Sequence, residues 1–507
     1  MVMCEGHQPL RIRRRNRGGL YRESEVFIVP LEGTGQQNPV RGKGRCFVYA
    51  TKEERIRGLS TAGGLTTPES IRTLQRKLYR KAKQERACRF HALYDTVYRS
   101  DILSHALSLV RANKGSAGID GITFEAIEEN EGATAFVAEL AEALRNKTYQ
   151  PAPVKRVMIP KTDGTLRPLG IPTIRDRVAQ MAVKLVIEPI FEADFCANSY
   201  GFRPKKSAHD AVDDVAHTLN KGYTEVIDAD ISKYFDTVPH ANLMAVVAER
   251  ICDGAILHLI QMWLKAPVME VDQDGTKRNI GGGKGNRKGT PQGGVISPLL
   301  ANLYLHLLDR IWERHHLERK LGARIVRYAD DLVILCRHGT ERPMAILRQI
   351  LKRLGLTLNE AKTRIVNVFK GKFDFLGFTI WMGKSRKTGN HYPHVQPSKK
   401  SLQTIKDRVA DLTTRYRTIM PLDWVVNEVN ATVRGWVGYF HYRNCSHAMG
   451  QIRNHVEERL RTHLRKRHKV RDRKTGYVRF KHRALYERYG LYKVPTTAAW
   501  TRAHALQ

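Results

Sequence analysis

No run in this sequence of 507 residues approaches the roughly 18 consecutive apolar residues that a membrane-crossing helix needs, and no lone basic amphipathic helix dominates it. A membrane partner is therefore not expected. Cysteine is sparse: Cys4, Cys46, Cys88, Cys196, Cys252, Cys336 and Cys445 are scattered without a C-x-x-C spacing, which argues against a zinc module. Their odd number and wide separation, with no secretory signal at the N-terminus, predict reduced thiols inside a cell. Acidic residues are few beside basic ones, 50 Asp and Glu against 86 Lys and Arg, a formal charge of +36. Such an excess opposes compaction of the free protein and favours a large polyanion. With membrane set aside, nucleic acid is the expected partner.

A chain of this length should bury more than one core. Residues 1–66 are Gly-rich, basic and weakly periodic ("RIRRRNRGG", "GTGQQNPVRGKGR"), and read as a mostly disordered basic arm. A helix is expected from "TTPESIRTLQRKLYRKAKQE", with Thr67 as cap and Pro68 at the first helical position. Residues 154–177 read as a β-hairpin turning at "KTDGT", and two helices are expected through "VAQMAVKLVIEPIFEADF". "TEVIDADI" reads as a strand, "RNIGGGKGNRKGTPQGG" as a flexible basic loop, and "SPLLANLYLHLLDRIWERHHLER" as a long helix. Past residue 395 the pattern turns helical and basic, and no solenoid repeat is evident.

Carboxylates stand out against this basic background. In "RYADDLVILC", Asp330 and Asp331 lie between two apolar, β-branched runs of strand length, so they are expected at the tip of a hairpin. Two carboxylates facing one space repel unless a cation lies between them, and Mg²⁺ suits such oxygen ligands. A polar turn between two core strands is the plain alternative. A third carboxylate, Asp230, ends the strand "TEVIDADI". Asp228 shares its face but lies further in, and Asp236 falls beyond the strand. Three carboxylates on adjoining strands can hold two Mg²⁺ ions roughly 3.5 to 4 Å apart, the arrangement that activates a 3′-hydroxyl and stabilises a leaving pyrophosphate.

The ordered set "IPKTDGTLRPLGIP", "SYGFRP", "DADISKYFD", "GTPQGGVISPLLANLYL", "RYADDLVI", "GLTLNEAKT" and "FDFLGF" resembles the blocks of the reverse transcriptases encoded by group II introns, and "VVNEVNATVRGWVGYFHY" resembles that family's maturase (X) domain. The resemblance spans residues 70–480. It implies an α+β right-hand polymerase with fingers, palm and thumb, a helical maturase domain and a basic C-terminal tail. The corresponding ranges are 67–222 for the N-terminal extension and fingers, 223–392 for the palm, 393–480 for the thumb and X domain, and 481–507 for a short basic segment. It also implies an RNA-directed DNA polymerase that uses two Mg²⁺ ions and dNTPs on an RNA template with a DNA primer. Such a protein binds its group II intron RNA, assists splicing, and copies the intron at target DNA. The expected location is the bacterial cytoplasm, with nucleoid association on target DNA.

By the same resemblance Asp230, Asp330 and Asp331 match the metal-binding aspartates, with the Ile231 carbonyl as a further metal contact. Phe235 matches the aromatic that excludes a 2′-hydroxyl, Lys161 and Arg167 the cations on the triphosphate, Gln292 a residue near nucleotide and template, and Lys362 a residue beneath the primer side. The run "RLRTHLRKRHKVRDRKTGYVRFKHR" has many like charges that a phosphate backbone would neutralise, so Arg461, Arg465, Lys466, Arg467 and Lys469 are expected to bind RNA. Arg434, Trp436, Tyr439 and Phe440 fall within two helical turns, and the three aromatics fit core better than base stacking. "GGGKGNRKG" is not expected to be an ATP loop, because no strand leads into it and no G-K-[ST] closes it. Paired Cys and His of a C-terminal nuclease are missing, so no second-strand cleavage is expected. Two rivals stand beside this reading: a binding-only maturase, which normally shows a broken "YADD" or a missing aspartate where both are intact here, and a related polymerase recruited to host defence or repair, which shares the catalytic blocks without needing an intron.

Overall fold

The computed structural model describes residues 65–130, 132–160, 166–272 and 274–499. The basic arm expected over residues 1–66 lies almost wholly outside this set. Backbone contacts divide the described chain into two compact units, residues 65–218 with 222–365, and residues 366–499 with 219–221. Fingers and palm, given separate ranges above, thus share one unit, and the division falls at residue 366 rather than 393.

In the larger unit the first helix is Glu69–Gln84, with Pro68 at the cap position and Thr67 buried outside it. One helix, Ile174–Glu192, replaces the two expected there, and Pro189 sits in its last turn. Proline there has no N–H for the Leu185 carbonyl, which instead accepts from the Gln75 side-chain amide at 3.0 Å. This helix is apolar on almost every side, Val178, Ala182, Val183, Val186, Ile187 and Ile190 all being buried, so it forms the centre of the unit rather than its surface. Its first turn is held by Thr173, whose hydroxyl accepts from the Asp176 N–H and donates to the Asp176 carboxylate. That carboxylate also accepts from Tyr149 at 2.6 Å, and the Tyr149 oxygen in turn accepts from Trp263.

Two sheets flank this core. The first has the order β2-β1-β4-β5, from β1 (Val154–Pro160), β2 (Leu166–Ile171), β4 (Val268–Val271) and β5 (Lys277–Gly281). Its β1–β2 pair is the expected hairpin, Ile159 opposite Arg167. Residues 278–281, expected to open the flexible loop, belong to strand β5 because β4 supplies an antiparallel partner. A strand therefore does lead into "GGGKGNRKG", although no phosphate-loop sequence follows it. The second sheet has the order β6-β7-β3-β8, from β3 (Glu225–Ala229), β6 (Ala323–Tyr328), β7 (Asp331–Cys336) and β8 (Arg364–Asn367), on which the chain leaves this unit. All six residues of β7 are buried, the five apolar ones, Leu332–Cys336, as a run covered on both faces. Helix Ser297–Arg314 is also largely buried, and the expected long helix stops at Arg314 before a separate short turn, Leu317–Leu321.

The smaller unit carries a three-stranded sheet, order β11-β10-β9, from β9 (Phe373–Phe375), β10 (Phe378–Lys384) and β11 (His391–Pro397). Helices Lys399–Leu412, Leu422–Phe440 and Ser446–Arg467 follow. Trp436, Tyr439 and Phe440 are buried, and the rings of Tyr439 and Phe440 lie 5.5 and 5.3 Å from Phe378, so these aromatics serve as core. No helix among the described residues is long and apolar enough to cross a membrane.

Beneath the β6–β7 turn lies a fully buried ion pair, Arg327 with Asp309, each side chain 0% exposed and 2.5 Å apart. The same guanidinium donates to the Asn302 side chain, the Ser199 hydroxyl and the Ala329 carbonyl. Removing one partner of such a pair leaves a buried charge uncompensated and costs about 3–5 kcal/mol, whereas replacing both by apolar groups costs far less. Arg327→Ala should therefore lower the denaturant midpoint steeply, and Arg327→Met combined with Asp309→Leu should recover most of the loss. Equal losses in the two proteins would contradict this account of the pair.

Candidate active site

Strand register brings the acidic residues together. β3 and β7 run antiparallel, from Glu225 opposite Cys336 to Ala229 opposite Leu332. One step further the two chains carry Asp230 and Asp331, at the position where opposed residues share a face. β6 and β7 close with Tyr328 opposite Asp331, so Ala329 and Asp330 form a two-residue turn. Ala329 has φ of 56°, a left-handed conformation that strains a residue with a side chain. Two supports hold it. One is the Arg327 bond to its carbonyl at 2.9 Å. The other is Gly201 of "SYGFRP", where a Cβ would come within 2.2 Å of the Ala329 nitrogen. Asn302 fixes that glycine by donating to its carbonyl.

Asp331 is buried and Asp330 is partly exposed. Burial, with the Asp331 charge beside it, pushes the Tyr328 phenol above its usual range. Burial does the same for Tyr234 more strongly, Arg327 opposing and Asp330 adding to the rise. Both phenols next to the carboxylates therefore stay protonated at neutral pH and bring no further negative charge.

Asp230 lies just past β3 and is laced to the segment 357–363. Its carbonyl accepts from the Asn359 N–H at 2.7 Å, its carboxylate accepts from the Asn359 amide at 3.0 Å, and its own N–H donates to the Thr363 hydroxyl at 3.3 Å. Ile231 bridges Leu358, and the bonds of that bridge are made by residues 230 and 232, which leaves the Ile231 carbonyl outside it. Lys362 is half-buried on the same turn, its N–H donating to the Asn359 carbonyl.

A second group gathers around Gln292. Arg167 on β2 donates to the Gln292 carbonyl oxygen at 2.7 Å, and the Gln292 amide donates to Asp236 at 3.3 Å. An ionised carboxylate can only accept, so Asp236 takes the NH₂ end and turns the carbonyl toward Arg167. The first glycine of "TPQGG" permits this approach: Gly293 has φ of 108°, and a Cβ on it would meet the Gly170 carbonyl at 2.3 Å. Phe235, next to Asp236, packs edge-on against Tyr234 and accepts from the Thr290 N–H. Arg167, Phe235 and Gln292 thus belong to one neighbourhood. Lys161 lies outside the described residues.

Among the described residues no three His, Cys, Asp or Glu side chains converge closely enough to form a ready-made cage for an ion. Mg²⁺ rarely uses such a cage, taking instead one or two carboxylates with water and substrate phosphates. An open set of Asp230, Asp330 and Asp331 fits that chemistry, since like charges have no reason to close together before a cation arrives.

Comparison with known proteins decides the family. The description "Reverse transcriptase (RNA-dependent DNA polymerase)" matches residues 159–380, and "Group II intron, maturase-specific domain" matches residues 402–480. The chain belongs to the group II intron-encoded reverse transcriptase/maturase family. Protein YkfC of Escherichia coli is 34% identical over 354 residues, 62% of this chain and 90% of that protein. The group II intron-encoded protein LtrA of Lactococcus lactis subsp. cremoris is 35% identical over 44% of this chain and 35% of LtrA. An uncharacterized 91 kDa protein in the cob intron of Schizosaccharomyces pombe is 25% identical over 76% of this chain and 55% of that protein. The chain therefore spans most of YkfC but little more than half, or less, of the other two. Its matched domain is that of an RNA-directed DNA polymerase, and the α+β fold is that of a right-hand polymerase with a maturase domain.

The basic run of this reverse transcriptase is less uniform than its sequence. Arg461 is buried, donating to the Phe480 carbonyl and to Glu458 and lying over the Tyr477 ring. The expectation that Arg461 meets phosphate is corrected, because its charge is committed inside the fold. Arg467 donates to the carbonyls of Thr418 and Met420, and Arg465 to that of Arg471. Lys466 and Lys469 are the exposed members of the five. Replacing both by Gln should flatten the salt dependence of RNA binding, by up to about 0.9 in the log–log slope per lost duplex phosphate contact. Arg461→Gln should instead lower thermal stability. An unchanged slope for the lysine variant would mark the run as a solvated face.

Proposed function

We propose that this protein copies RNA into DNA by metal-assisted nucleotidyl transfer at Asp230, Asp330 and Asp331, and that it binds its own group II intron RNA, assists splicing and copies the inserted intron at target DNA. The observation that carries the polymerase reading is the register that sets Asp230 beside Asp331 at the end of β3 and β7, with Asp330 in the adjoining turn. When bound, Mg²⁺ supplies the positive charge that lowers the pKa of the primer 3′-hydroxyl and stabilises the leaving pyrophosphate.

The chain's own residues do the rest. The 3′-oxygen forms a bond to the α-phosphorus of a dNTP, the bond to the bridging oxygen breaks, and the hydroxyl proton leaves to solvent. Asp230, Asp331 and Asp330 offer oxygens to the ions, with the Ile231 carbonyl as a further donor. Arg167 grips the triphosphate with its forked donors, and Lys161 adds a point charge. Phe235 packs where a 2′-hydroxyl would otherwise stand, Gln292 orients nucleotide and template, and Lys362 supports the primer side. The +36 charge and the maturase-specific match support intron RNA as partner. The protein then works as a cytoplasmic ribonucleoprotein that reaches the nucleoid on target DNA.

Asp330→Asn keeps shape and removes charge. It should abolish extension of a DNA primer on an RNA template while leaving intron RNA binding and splicing assistance largely intact, because the intron supplies its own catalytic metals. Normal extension by this variant would overturn the assignment of the hairpin. Phe235→Ala should raise incorporation of NTPs relative to dNTPs in the same assay. An unchanged ratio would place the sugar gate elsewhere.

A further inference from the structure

The segment 357–363, which follows helix Glu341–Arg353, does more than carry Lys362. Three of its bonds end on one residue, Asp230, and two of the three come from Asn359. The backbone bond at 2.7 Å fixes the main chain of Asp230. The side-chain bond at 3.0 Å fixes one carboxylate oxygen, Oδ2, against rotation. Asn359 also accepts the N–H groups of Lys362 and Thr363 on its own carbonyl, so a single residue joins the turn bearing Lys362 to the strand bearing Asp230.

The residue type matters as much as the place. A carboxylate meant for a cation needs its orientation set without losing its charge. Lys or Arg at residue 359 would neutralise Asp230 and compete with the ion, and a carboxylate there would repel it. An amide is neutral, and its NH₂ donates while leaving the acceptor's charge in place. We propose that Asn359 is a positioning residue for Asp230: it holds the carboxylate in the orientation that takes a divalent cation. This rests on the reading of Asp230 as a metal-binding aspartate.

The consequence is a metal-affinity effect rather than a substrate effect. Partners that orient a metal ligand through hydrogen bonds typically contribute 10- to 100-fold in metal affinity or activity. Asn359→Ala removes the side-chain donor and keeps the backbone bond. Asn359→Ser offers a shorter donor that reaches Oδ2 less well.

The test uses full-length protein with an annealed RNA template and a DNA primer ending in a dideoxynucleotide, so that no reaction occurs. Mn²⁺ binding is read from the loss of the free-ion signal in electron paramagnetic resonance. Asn359→Ala should weaken binding about 10-fold, and Asn359→Ser less. With an extendable primer, the half-saturating Mg²⁺ concentration should rise by a similar factor while the KM for dNTP changes little. Thermal melting of each variant separates this from misfolding: a variant that melts as the wild type does and binds Mn²⁺ as tightly overturns the proposal. If Asn359→Ala melts early, Asn359→Ser decides by the same comparison. Asp230→Asn serves as the reference. If that variant keeps wild-type Mn²⁺ binding and extension, the reading of Asp230 itself has failed. If it loses both while the Asn359 variants match wild type, only the positioning role has failed.

Discussion

A positive charge buried where no water reaches it underlies the hairpin that bears two of the three aspartates. Arg327 is on β6, two residues before Ala329, and its guanidinium is spent entirely on Asp309, Asn302, Ser199 and the Ala329 carbonyl. A strained turn persists only where its surroundings over-determine it. Here they do so with a charge-assisted network from below and a close glycine backbone from the side, so that Asp330 and Asp331 project from a tip that cannot easily relax. The network reaches helix Ser297–Arg314 through Asn302 and Asp309, and the segment 198–201 through Ser199, so these separate sequence blocks meet at one guanidinium.

The chemistry follows from how differently the two sides of the site are held. Asp331 is tied to β7 by its place in the ladder, whereas Asp230 hangs from the neutral donors of the 357–363 turn. Neither arrangement cancels charge, and the neighbouring phenols stay neutral. The carboxylates therefore concentrate negative potential at this edge of the sheet, as the proposed metal site requires. On the nucleotide side, Arg167 and Gln292 satisfy each other, so the direction of each side chain is set by the other.

Much of this was legible in the residues. The apolar, β-branched runs around "RYADDLVI" call for a hairpin with Asp330 and Asp331 at its tip, and "TEVIDADI" for a strand ending at Asp230, because strand preference is short-range and survives in sequence. The helix Ile174–Glu192 was read as two, since a proline near its end looks like a break when burial on all sides cannot be seen. Residues 278–281 read as loop because a strand with no buried residue shows no alternation, and its pairing with β4 is a long-range fact. Asn359 and Asp236 lie inside recognisable motifs, but their partners do not show there, for a hydrogen bond across 129 or 56 positions leaves no local trace. Arg461 shows the opposite error: charge density alone does not tell a phosphate ligand from an internal clamp.

The central claim is that three aspartates gathered by strand register make an RNA-copying, deoxynucleotide-specific polymerase. Its most direct measurement is extension of a labelled DNA primer on an RNA template by the purified protein, with Mg²⁺ and either dNTPs or NTPs. Full-length DNA with dNTPs, lost on chelation of the metal and nearly absent with NTPs, is the predicted result. No extension with dNTPs, or equal extension with NTPs, would contradict the account.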